Sequence, residues 1–114
     1  MKRDMDMIRE ILQDVENRGP IEGRMPCYSR PDVVYQVALM IDAGLVDGEV
    51  HSETMAFIRR LTWYGHDFLD AAKDDTIWNK AKEHIFKPTV SWTFSLLLDY
   101  LKREAALKLG LPTP

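Results

Sequence analysis

His66 and Asp70 stand four residues apart in "HDFLD", a spacing that puts both on one helix face, where together they can touch a single cation. A lasting metal site needs more ligands, and neither His51 nor His84 is placed to join them. Asp70 can equally accept a hydrogen bond from the His66 ring and hold it in place, so the pair is expected to be structural, with no metal and no cofactor. Cys27 lies between Pro26 and Tyr28 with no neighbouring base, and neither a Gly-x-Ser-x-Gly elbow nor a glycine-rich phosphate loop occurs. Asp74 and Asp75 adjoin a helix restart, where carboxylates favour the positive end of the helix dipole. Trp63, Tyr64, Phe68 and Trp78 are expected to pack the core and the wing, with Trp63 buried where the wing meets the domain, and not to form a base-stacking platform. No residue set supports catalysis, so the expectation is a protein without enzymatic activity.

The chain that must position these residues has 114 of them, enough for one domain with a genuine core. Hydrophobic residues make up 46% and charged residues 29%, the balance of an ordinary globular protein. The net charge of −3 matters more, because gripping a phosphate backbone calls for cations. A single cysteine permits no internal disulfide. The opening "MKRDMDMIRE" has no signal-peptide core, and the most apolar run, "VSWTFSLLLDYL", is broken by Asp99 and followed by Lys102 and Arg103. The expectation is a cytoplasmic protein with no membrane span.

Ile8, Ile11, Leu12 and Val15 recur at i, i+3, i+4 and i+7 behind Asp4, a cap for a first helix that Gly19 and Pro20 end. "PIEGRMPCYSR" reads as a loop with one short strand near Ile21 to Met25. A second helix runs from Pro31 to Ala43, with Val34, Val37 and Met40 on its inward arc and Asp32, Tyr35, Gln36, Leu39 and Asp42 on the other. Gly44 closes it. "LV", "DGE" and "VHSETMAFIRRL" then read as strand, turn and returning strand. Thr62 caps a third helix carrying Phe68, Leu69 and Ala72 inward, and "KDDT" bends or restarts it with Asp75 as a second cap. Pro88 stops that segment, and a last helix starts at Thr89 or Ser91 and runs through Leu109. Helix, strand, helix, hairpin and helix in this order predict an α+β, mostly α fold. It would be a winged helix over residues 1–87, with a two-stranded wing and an added C-terminal helix over 88–114.

Three stretches carry a resemblance. "MKRDMDMIREIL", Tyr35 with Ala43-Gly44-Leu45, and "LTWYGHDFLD" from Leu61 to Asp70 resemble the bacterial and phage-borne family called domain of unknown function 2513. Similarity extends from residue 2 to about 86, and the "GL…LT..G" pattern resembles the wing of bacterial winged-helix regulators. The resemblance implies that fold and a phage or mobile-element setting, and it implies no activity.

A winged helix lays a helix in the major groove, so double-stranded DNA is one expected partner. Gln36 can pair with adenine, Arg24 and Arg30 can reach phosphates from the loop, and Arg59 and Arg60 lie on the returning wing strand. Against this, the outer arc of the second helix carries Asp32 and Asp42 and no lysine or arginine, and the wing adds Asp47, Glu49 and Glu53. Tyr35 and Leu39 suit a protein interface better. The fold and the arginines favour a DNA-binding regulator. The alternative is a module that binds a host protein. A continuous positive strip through the arginines would favour DNA, and an acidic helix face would favour a protein. On the last helix, Phe94, Leu97, Leu98 and Leu101 form one apolar stripe, with Trp92, Leu96 and Tyr100 nearly opposite. A helix apolar on two sides predicts a homodimer through the second stripe.

Overall fold

The structure, a computed structural model, describes residues 2–18, 27–87 and 91–110. Its elements run α1 (Met5–Arg18), β1 (Cys27–Tyr28), α2 (Pro31–Asp42), β2 (Val46–Ser52), β3 (Met55–Leu61), α3 (Trp63–Ala72), α4 (Asp75–His84) and α5 (Phe94–Lys108). The class is α+β and mostly helical, compatible with a winged helix. The three strands form one antiparallel sheet in the order β1-β3-β2. The expected strand at 21–25 and the Thr89 cap fall outside the described residues.

Local chemistry fixes most helix ends. Asp4 Oδ1 accepts the Met7 amide at 3.1 Å and caps α1. α2 has no side-chain cap but starts on Pro31, whose missing N–H leaves one orphan donor fewer. Gly44, at φ +76°, supplies the left-handed residue past the end of α2, and the Leu45 amide returns to the Met40 carbonyl at 2.9 Å. Thr62 accepts the Gly65 amide at 3.0 Å and donates its hydroxyl to the Gly44 carbonyl. One threonine thus caps α3 and ties it to the turn after α2. At Gly65 a Cβ would overlap the Leu45 carbonyl oxygen, so the backbones approach closely there only because the residue is glycine. Two caps differ from their expected places, by one residue on α4 and by two from Ser91 on α5. Asp74, and not Asp75, accepts the Ile77 amide, and Thr93 accepts that of Leu96.

The chain forms two compact units that divide at Leu69/Asp70. The expected boundary was at 87/88, but the apolar face of α4 needs α5. Ile77, Trp78 and Ala81 are buried on α4, Leu97, Leu98 and Leu101 on α5, and the two helices pack together. In the first unit α1 packs on α2 and β3, and α2 packs on β2 and β3. Ile8, Leu12, Val37, Met40, Ala56 and Ile58 fill that core.

The hairpin differs from its expected form. β2 runs straight through "DGE", and the turn is Glu53–Thr54, bridged by the Thr54 amide donating to Ser52 Oγ at 3.3 Å. Gly48 marks a register shift against β3, and a Cβ there would overlap the Phe57 carbonyl. The glycine that suggested a turn in fact permits a bulge.

Candidate functional site

The exposed side of α2 and the β2–β3 hairpin carries most of the expected contact residues. Gln36 is not among them. Its side chain is buried, with 3% of its surface exposed. The amide oxygen accepts the Asp4 amide and the amide nitrogen donates to the Lys2 carbonyl, both at 2.8 Å. A side chain buried against the N-terminal backbone is not presented to a base edge, which corrects the adenine-reading expectation. Arg24 lies outside the described residues.

The remaining arginines face carboxylates. Arg30 grips Asp32 through two nitrogens, at 2.6 and 3.2 Å, and that hydrogen-bonded guanidinium holds the Asp32 carboxyl below its ordinary range. Arg59 bonds Glu49 and reaches Asp47 at 3.4 Å, while Arg60 comes within 3.7 Å of the same aspartate. The Arg59 hydrogen bond pulls the Glu49 carboxyl down, and Glu49 in turn pushes the Arg59 guanidinium up. His51 Nε2 lies 3.1 Å from Glu49 and its ring meets Phe57 edge-on at 5.4 Å. All of these groups are well exposed, so the pairs add little to stability. Their consequence is electrostatic: each arginine already has an anion beside it.

Between α2 and the hairpin lies a groove of about 390 Å3, lined by Pro31, Val34, Tyr35 and Ala38 on one side and by Val50 and Glu53 on the other. A turn at 47–49 gives Val50 no place in a contact surface and counts Glu53 only as a repelling acid of the wing, so the sequence does not bring the two to a groove. Moving the turn to 53–54 extends β2 and puts Val50 opposite Ala56, on the side that carries the groove. Glu53 is exposed and has no ion-pair partner among the described residues. Leu39 is half-buried on α2.

The other expected constellations separate. His66 Nδ1 lies 3.8 Å from Glu16, while Asp70 pairs with Lys73 at 3.5 Å, so the histidine's neighbour is a helix-α1 carboxylate and not Asp70. No group of three metal-binding side chains occurs among the described residues. Trp63, expected in the core, is 84% exposed. It is the first residue of α3, where the turn of the cap directs it outward, while Phe68 and Leu69 supply the buried face. Trp92, expected on the last helix, precedes the Thr93 cap of α5 and is half-buried with its ring 5.0 Å from Phe86; on α5 itself Tyr100 is half-buried with its ring 6.4 Å from His84, and Leu96 is 47% exposed. No helix among the described residues is long and apolar enough to cross a membrane.

A family model described as "Hypothetical protein (DUF2513)" matches residues 2–91. The chain belongs to the DUF2513 family. The match takes in α1, the whole sheet, α2, α3 and α4, hence every residue of the groove. A protein of Haemophilus influenzae, described as "Uncharacterized protein", is 34% identical over 113 residues, covering 92% of each chain. That alignment is too long to leave out α5 altogether, whereas the DUF2513 match stops before it. No solved structure matches the chain.

Proposed function

We propose that this DUF2513 chain is a non-enzymatic, winged-helix-like module of bacterial or phage origin that binds another protein through α2 and the β2–β3 wing. The observation that carries this reading is the pairing of Arg30, Arg59 and Arg60 with Asp32, Asp47 and Glu49. From Arg30 to Leu61 the sequence holds five carboxylates against three arginines. DNA affinity comes chiefly from cations that replace the counterions of phosphate. Here each arginine would have to leave its carboxylate, and the freed carboxylate would then face the phosphates. The helix that would enter the major groove adds no exposed cation, and its glutamine is committed to the N-terminal backbone. The same surface offers a tyrosine and an apolar groove, features found in protein interfaces.

The sheet order and the helix-then-hairpin succession support the winged-helix reading, and DNA binding is the competing use of that shape. Fluorescence anisotropy with a mixed-sequence duplex, titrated over salt, separates the two. The expected result is no saturable binding at about 150 mM salt, and at lower salt at most weak binding. A tight complex whose log–log salt slope falls by about one to two units in the Arg59→Ala/Arg60→Ala double variant would overturn the protein-binding reading in favour of DNA.

A further inference from the structure

We infer that the groove between α2 and the hairpin takes a short peptide segment of a partner protein, one that presents a large aliphatic or aromatic side chain beside a lysine or arginine. This rests on the protein-binding reading above and names the chemistry of the partner. The groove is mostly apolar, with Pro31, Val34, Tyr35 and Ala38 on α2 facing Val50 on β2, and it turns polar at the hairpin turn, where Ser52 and Glu53 line it. Its volume of about 390 Å3 falls in the range that holds a compact ligand or a few side chains, roughly 300–1,000 Å3. Val50 is an exposed strand valine at the groove's edge. Together these residues give an anchor side chain a place to leave water.

The charge of the occupant follows from Glu53. Asp47 and Glu49, the other two carboxylates of the hairpin, are each matched by Arg59, and Asp32 beside the groove by Arg30. Glu53 lines the groove at the turn and is matched by nothing among the described residues. A cation on the occupant would complete at Glu53 the pairing that the protein completes for itself elsewhere. An anionic segment would meet an uncompensated carboxylate there, and a wholly apolar one would leave it unused. Tyr35, half-buried in the wall, adds a hydroxyl that can hydrogen-bond a peptide backbone. Recognition then combines an apolar anchor for affinity with a charge at one end for direction.

The test is selection of a random twelve-residue phage-displayed peptide library on the full chain, with the Ala38→Trp variant, whose indole fills the groove, as counter-selection. Enriched peptides are expected to share an aliphatic or aromatic residue within about one helical turn of a lysine or arginine. Synthetic versions should bind the parent and lose at least about tenfold on Ala38→Trp. On Glu53→Lys they should weaken severalfold, and acidic versions of the same peptides should then be preferred. Glu53 lies in an exposed turn, so that variant keeps the test sound should Ala38→Trp fold poorly. Melting curves of both variants check the fold. Failure to enrich any peptide against the counter-selection, or binding indifferent to charge at position 53, would overturn the groove assignment. It would leave the broader protein-binding reading standing, because only the salt-dependent duplex complex removes that.

Discussion

Gln36 and Trp63 exchange the places that their chemistry suggests, and each can be tested by one substitution. The Gln36 amide joins α2 to the backbone of residues 2 and 4, just ahead of α1, by two hydrogen bonds of 2.8 Å. Replacing it with leucine keeps the bulk but strands both partners, and the expected cost is about 1–3 kcal/mol of unfolding free energy in a urea titration. An unchanged midpoint for Gln36→Leu would mean that water serves those backbone groups as well as the amide does. Trp63→Ala should do almost nothing, within about 0.5 kcal/mol, since the side chain is 84% exposed. A large loss of melting temperature would place the indole in the core after all. Neither position was legible in the sequence. The periodicity of α2 puts Gln36 on the polar arc, and only a partner more than thirty residues away in the chain explains its burial. Trp63 is judged by its size, whereas its exposure is decided by the turn that Thr62 imposes at the start of α3.

Elements were more legible, because their signals are local. The stripe of α1, the proline start and glycine end of α2, and the Thr62 cap all follow from residues within one turn of each other. The hairpin was legible as a pair of strands but not in its register. A glycine flanked by two acids has the composition of a turn, and nothing nearby shows that Gly48 faces the Phe57 carbonyl instead. That error hid half of the groove, while the α2 half could be named in advance through Tyr35. At this scale α4 and α5 meet through a pair that titrates. Asp74 caps α4 and also bonds Lys108 of α5, whose ammonium holds the carboxyl below its ordinary range, with help from the Ile77 amide. A carboxyl depressed in the folded state stabilises fully above its unfolded value, about 3.9, and that contribution is lost as pH falls through the folded value. Asp74→Asn retains an oxygen for the cap and removes the charge. Between about pH 6 and about pH 3 the melting temperature of the variant should therefore fall less steeply than that of the parent. Parallel curves would show that Lys108 and Asp74 do not stay paired in solution.

For the whole molecule, the question is whether one chain satisfies its own apolar surface. The sequence argument for a homodimer is that α5 is apolar on two sides and that a small domain can cover only one. Leu97, Leu98 and Leu101 are indeed buried, on the face where α4 packs. The opposite stripe is partly covered too: Phe86 lies against Trp92, and Tyr100 is half-buried near His84. What remains open on this helix and its cap is Leu96, Leu107 and Leu109. Three exposed leucines are a thin basis for an interface, since stable ones bury about 1,200–2,000 Å2 in total, and scattered surface leucines are normal. The chain is therefore expected to run as a monomer in light scattering at about tens of micromolar, a range in which a weak self-complex of micromolar affinity would show. The Leu96→Glu variant completes the test. A dimer mass for the parent would refute the monomer, and its loss in Leu96→Glu would restore α5 as the interface. A dimer that survives the substitution would move self-association to another face, with the α2 groove, the site assigned here to a foreign peptide, as the first place to look.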